Sequence, residues 1–345
     1  MLNESQLSAF VKKSRTIEEP NAENTQHLGP LAALAGTWEG KLTGWNMIAL
    51  PFITPKSNKG PSNTHFAQYR LLMNQYNETL KFGPVHYPVP NRGISWSETT
   101  QTDQFNAAIE YHQAITQVSA AHSFLSDNLP VIQPVTEGNN TVIHAEPGMW
   151  LHITNQTTLG LDLARLGTIP HGNSVLALGT SKTYKGGPQI ANLDGTPTGV
   201  GQEAIDAGYL APYHAFRDKP FMGNVTAPTF PGFDPTQANN LLRFDATALD
   251  ALDHMTPVQT TEITVDTDFE QAGIVNTPFI HTQANATKMK FTFWIQELQD
   301  ATGNTKWRLS YSQTVILDFF GKSNNWPGRI AWPHISINTL DKVSD

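Results

Sequence analysis

KMKFTFWIQELQDATGNTKWRLSYSQTVILDFF, at positions 288–320, is the stretch that decides how the rest of the chain is read. In its first arm Met289, Phe291, Phe293 and Ile295 recur at every second position, with Lys290, Thr292, Trp294 and Gln296 between them. A strand sends successive side chains to opposite faces, so this spacing predicts a strand with one apolar face. The second arm, KWRLSYSQTVILDFF at 306–320, alternates in the same way. Between the arms, QDATGNT offers Gly303 and Asn304, residues suited to positive φ, and the whole stretch predicts a hairpin.

Similar strand signals run outward from this hairpin, separated by Gly, Pro and Asn clusters. They are GTWEGKL (36–42), NAAIEYHQAITQV (106–118), GMWLHIT (148–154), LDLARLG (161–167), NSVLALGTS (173–181) and TTEITVDTDF (260–269). Helical periodicity is confined to QEAIDAGYLA (202–211), ATALDALDHM (246–255) and an N-terminal SQLSAFVKKS. Residues 1–30 therefore read as a short helical arm and residues 31–345 as one domain, with insertions near 50–76 and 184–258. The second insertion is full of Pro, Gly and Asn. It is expected to lack a dense apolar core of its own and to pack on the rim or outside. Many strands and few helices predict a mainly-β antiparallel fold, a barrel or a sandwich. The long strands after residue 260 suit a tilted barrel with a lumen.

Composition narrows the function. With 15% charged residues, a net charge of −8 and no run of Lys or Arg, the chain is not expected to bind nucleic acid. The absence of cysteine removes disulfides, thiolate metal sites and a Cys nucleophile. No run approaches the ~18 apolar residues of a membrane span. The N-terminus as given has no apolar signal core, which points to the cytoplasm and leaves secretion open. Sequons at Asn3, Asn77, Asn139, Asn155, Asn224 and Asn285 would matter only for a secreted eukaryotic protein. No G-x-S-x-G, H-E-x-x-H, P-loop or dinucleotide-binding motif occurs.

Several histidines stand out. His144 and Glu146 lie two apart, on one face of a strand. They are either half of a non-haem metal site completed by His152 or His171, or a buried polar pair anchoring a turn where Pro147 and Gly148 interrupt the strand. His171 sits in Pro-His-Gly-Asn, which reads as a type II turn at a hairpin rim or as a group placed over a ligand. Tyr111 and His112 point to opposite faces, so only one can face a lumen. In AWPHISINTL (331–340), either His334 faces inward with Ser336 and Asn338, or Ile335 and Ile337 do.

Four stretches, taken in order, resemble the nitrobindin family of haem-binding β-barrels. This family belongs to the calycin group, with lipocalins and fatty-acid-binding proteins. The stretches are LAALAGTWEGKLTGW (31–45), IHAEPGMWL (143–151), IPHGNSVLALG (169–179) and the closing SYSQTVILDFF…AWPHISINTL. VPNRG (89–93), together with EPGMWL and IPHGNS, is similar to larger bacterial and fungal relatives, while the longer loop before His334 and the 184–258 insertion depart from the small nitrobindins. The resemblance implies a calycin-like barrel of about ten strands. It also implies haem b in the lumen with His334 as proximal iron ligand, and Trp38, Trp150 and His171 around the cofactor. The activity would be binding of a diatomic gas, or peroxide or peroxynitrite chemistry. The alternative is a cofactor-free cavity that carries or cyclises an apolar small molecule, as a cyclase or pericyclase would, with Tyr111, His144, Trp150 and Arg92 as candidate donors. Whether the chain is an enzyme, and its oligomeric state, are left open.

Overall fold

The fold is known from a computed structural model, which describes residues 16–51, 68–93, 103–127, 129–322 and 327–344. The strands are β1 (Thr16–Glu18), β2 (Gly36–Pro51), β3 (Tyr69–Asn91), β4 (Gln104–Ser126), β5 (Leu129–Val135), β6 (Val142–Ile153), β7 (Leu163–Ile169), β8 (Asn173–Lys185), β9 (Thr256–Asp266), β10 (Gly273–Asn276), β11 (Asn285–Gln299), β12 (Thr305–Gly321) and β13 (Arg329–Ser344). Ten of them pair antiparallel in the order β3-β2-β13-β12-β11-β9-β8-β7-β6-β4, and β4 pairs back onto β3, closing a barrel. The strands β1, β5 and β10 extend the wall on β3, β4 and β8.

The 288–320 hairpin forms as its alternation predicts. Phe293 pairs with Tyr311, Gly303 takes φ 87°, and Met289, Phe291, Phe293 and Ile295 point into the barrel core. The N-terminal residues 1–15, with the predicted helix, lie outside the described residues. From Ala22 a four-residue helical turn, α1 (Ala22–Thr25), leads into a 3-10 segment, Gln26–Leu34. That segment is no loose arm. Leu28, Leu31 and Leu34 are fully buried in the barrel core, and Trp38 Nε1 donates to the Leu34 carbonyl at 2.8 Å. The apolar content of LGPLAAL makes it a plug for one end of the barrel.

Two expectations about the insertions are corrected. β2 runs to Pro51 and β3 begins at Tyr69, so residues 69–76 are wall and not insertion; residues 52–67 lie outside the described set. The second insertion runs between Lys185 and Thr256, close to the expected bounds, but it builds a dense apolar core. Tyr209, Tyr213, Phe216, Phe221, Phe233, Leu241 and Leu242 pack against Trp45, Met47, Leu71, Met73, Ile335 and Ile337 on the outer face of β13, β2 and β3. Its helices are α2 (Gln202–Asp206), α3 (Ala211–Asp218) and α4 (Asn240–Asp253); a further helix, α5 (Pro278–Gln283), precedes β11. The outer face of this part of the wall is therefore apolar and covered, which is why Ile335 and Ile337 are buried without entering the lumen. No described helix is long and apolar enough to cross a membrane.

β8 and β9 meet at Gly179, where a Cβ would lie 1.8 Å from the Thr264 carbonyl oxygen. Backbone cannot swing aside as a side chain can. Gly179→Ala is expected to cost about 1–3 kcal/mol through overpacking, read as a lower melting temperature. An unchanged melt would show that the two strands do not approach as described.

Candidate ligand site in the open half of the barrel

The lumen has two unlike halves. Toward the plug it is filled. Phe82, Trp150, Phe291, Phe293 and Tyr311 are all buried, with Phe291 and Phe293 edge-to-face at 4.5 Å and Trp150 5.4 Å from Phe293. The space left among them is about 10 Å³, room for no more than one water. Each such aromatic contributes roughly 1.5–3 kcal/mol of burial, so this half is structural.

A polar layer lies above it. Arg165 is almost fully buried, with Cζ 4.4 Å from the Phe291 ring centre. Its Nη2 donates to Glu146 at 2.9 Å, its Nη1 to Gln313 at 2.8 Å and its Nε to Tyr111 at 3.2 Å. The Tyr111 hydroxyl also donates to Glu146 in a short hydrogen bond. Burial pushes the Glu146 carboxyl up, but Arg165, with His144 and Tyr111, outweighs it and holds the group at about 2. Burial and the neighbouring carboxylate raise Tyr111, against the pull of Arg165. Gly148 makes room for this layer, since a Cβ there would lie 2.5 Å from the Tyr111 ring. Beside it Glu78 accepts from Gln113 at 2.7 Å, Tyr311 at 2.7 Å and Asn338 at 2.8 Å, and Tyr311 meets the Tyr76 hydroxyl at 2.9 Å.

Toward the other end the inward-facing side chains change character. Ile48, Leu72, Gln313, Val315 and His334 are only partly buried, unlike the side chains of the filled half. The pleat fixes which side chains these are. Asn338 reaches Glu78 inside the barrel, so Ser336 and His334, at steps of two, face inward too. His334 Nδ1 is buried without a hydrogen-bond partner. Burial, with the nearby His144 and His171, pushes the ring down to about 4 against a backbone interaction with Met47, so it is a neutral imidazole near pH 7. His144 and His171 lie side by side at this end, ring centres 5.4 Å apart, and His144 Nε2 is 3.5 Å from Glu146.

The remaining candidates fall elsewhere or differ in detail. Trp38 and Trp150 belong to the filled half, and Trp150 is 1% exposed. Arg92 is exposed beyond the far end of β3, 3.6 Å from Asp103 and at the opposite end of that strand from the His334 level. His152 is also at the plugged end, its Nδ1 3.1 Å from the His27 carbonyl oxygen, so it does not join His144. The Pro147–Gly148 step does not interrupt β6, and Glu146 takes side-chain partners in place of turn amides. In the turn carrying His171, Gly172 N–H donates to the Ile169 carbonyl at 3.0 Å, which puts His171 at the third position without positive φ. The turn is thus not type II. Among the described residues no group of three His, Asp or Glu is placed to hold a metal ion. Arg165, Glu78 and Gln313 went unread in the sequence. The signal for Arg165 was a lone cation on the Leu163–Arg165–Gly167 face, which alternation assigns to the lumen.

Haem asks for one neutral imidazole on a rigid strand and for flat apolar space beside it. His334 meets the first demand as a neutral imidazole on β13, and Val315, Ile48 and Leu72 flank it on the inner wall.

Fold and site together define a closed ten-stranded β-barrel, filled at one end and histidine-lined at the other. No protein-family model and no curated protein matches this chain. Among solved structures, the crystal structure of Rv2717c from M. tuberculosis aligns over 94% of this chain and 99% of that one, at 14% identity and a TM-score of 0.36. The assignment of the fold rests on the strand pairing itself.

Proposed function

We propose that the open half of the lumen takes a flat, largely apolar guest, haem b, whose iron His334 would hold. The observation that supports this most is the inward imidazole of His334, neutral near pH 7 and with its Nδ1 buried and unpaired. A buried polar atom without a partner costs stability, so its persistence suits a bound state. Haem held there would supply an iron centre able to take a diatomic ligand or a peroxide. The protein's part is mechanical and electrostatic. β13 fixes the imidazole between β12 and β2, Ile48, Leu72 and Val315 exclude water, and the Arg165–Glu146 layer stops the guest from sinking into the aromatic floor.

His334→Gly is expected to bind hemin without the wild-type Soret spectrum and to regain it when free imidazole is added to fill the gap. A variant whose spectrum matches the wild type would remove His334 from the site.

A second reading keeps the space and drops the iron: an apolar molecule bound with no cofactor. The apolar wall of Ile48, Leu72 and Val315 favours it equally. Its catalytic form has less support, since Arg92 and Trp150 do not reach the open half, and Tyr111 is engaged by Glu146 and Arg165.

A further inference from the structure

One pleat below His334, three polar side chains cross the inner wall in a row. Ser336 on β13 is in register with Asn46 on β2, and Asn46 with Asn74 on β3. All three face the lumen, since each lies two residues from an inward neighbour: His334, Gly44 beside the Tyr76 ring, and Tyr76 itself. The next strand offers Ala120 opposite Asn74, too small to cover it. Ser336 and Asn46 are each 8% exposed and Asn74 is 4% exposed. Asn74 Nδ2 donates to Asn46 Oδ1 at 2.7 Å. Asn74 Oδ1 is buried and has no partner.

We propose that this row is a polar shelf that reads one hydrogen-bond donor, a hydroxyl or N–H, on the guest of the open half. The proposal rests on the reading that the open half takes a guest, and it says what kind of edge that guest presents. Purely apolar walls would hold any flat hydrocarbon equally. An unpaired amide oxygen gains only from a donor, and a guest that buries it without one leaves it unsatisfied. The shelf therefore selects a flat apolar molecule with a donor group on its inner edge over the same shape without one.

The test is a fluorescence titration of the full chain with 2-naphthol and 2-methylnaphthalene, which differ by hydroxyl against methyl. A lumen without the shelf prefers the methyl compound, because it is the more hydrophobic of the two. The shelf reverses that order: wild type is expected to bind 2-naphthol the tighter of the two, its naphthol-to-methylnaphthalene affinity ratio about tenfold above that of a lumen without the acceptor, the worth of one hydrogen bond to a buried acceptor. Asn74→Leu is expected to bind the methyl compound better. Should that variant melt at room temperature, Asn74→Ala removes the same acceptor with less bulk. A wild-type preference for 2-methylnaphthalene, or a 2-naphthol preference that survives loss of Asn74, overturns the shelf. Failure of both probes to bind wild type also overturns it. Hemin then separates the two readings, since a saturable Soret band in that same protein leaves the guest-binding barrel standing and its absence removes both.

Discussion

Arg165→Met is expected to lower the stability of the protein by about 3–5 kcal/mol, the cost of leaving a buried carboxylate without its cation. Methionine follows the stem of arginine closely, so packing over Phe291 changes little and the loss isolates the charge. Glu146 would keep only Tyr111 and His144, at an exposure of 1%. The double change Arg165→Met with Glu146→Leu removes both charges and is expected to recover most of the loss, because replacing an entire buried pair by apolar groups is close to neutral. Denaturant unfolding at pH 7 reads all three proteins. Equal losses in the single and double variants would mean that the layer is held by shape and not by charge. The pair also sets an acid limit. Glu146 has its folded pKa held at about 2, below its ordinary 4.5. A depressed carboxyl contributes its stability in full above about 4.5 and loses it as pH falls from there toward 2. This part of the acid dependence should be missing from the double variant.

The second large effect lies outside the barrel. Arg308 on β12 is fully buried against α4 and holds three carboxylates: Asp341 at 3.0 Å through Nε, and Asp250 and Asp253 through its two terminal nitrogens. Asp250 and Asp253 occupy the last turn of α4, where the helix dipole disfavours negative charge, so the cation beneath them is what makes that turn tolerable. Lys306 adds contacts to Asp253 at 2.7 Å and Asp341 at 2.8 Å, but from a more exposed position. Arg308→Leu is expected to cost about 3–5 kcal/mol and to free α4 from the wall, since three clustered carboxylates would share one partly exposed lysine. Limited proteolysis should then cut within residues 240–255 before the barrel strands. Protection of that helix equal to wild type would show that its apolar face, Leu241 and Leu242, holds it unaided.

The barrel was legible where strands alternate cleanly. The 288–320 hairpin gave strand positions, inward face and turn, because one face carries the apolar side chains of the barrel core and the other carries mostly polar ones. β3 was not legible. Its second half carries Gly83, Pro84, Pro88 and Pro90, which read as loop, yet the wall accommodates them with register shifts between Phe82 and Val85 and between His86 and Val89. The insertion hid its core for a different reason. Its aromatics are strung along irregular backbone without period, so no amphipathic pattern announces them, and the outer wall they cover is itself apolar. At the site, the resemblance pointed to His334, and the strand pairing settled which face it takes. The polar layer could not be assembled from sequence, because Glu78, Tyr111, Glu146, Arg165 and Gln313 come from five strands and meet only when the barrel closes.

The measurement that bears most directly on the open lumen half is an absorbance titration of the purified chain with hemin. A Soret band that grows to saturation at one equivalent, with the spectrum of a histidine-ligated haem, is the predicted result. A linear rise that tracks free hemin and never saturates would contradict the account.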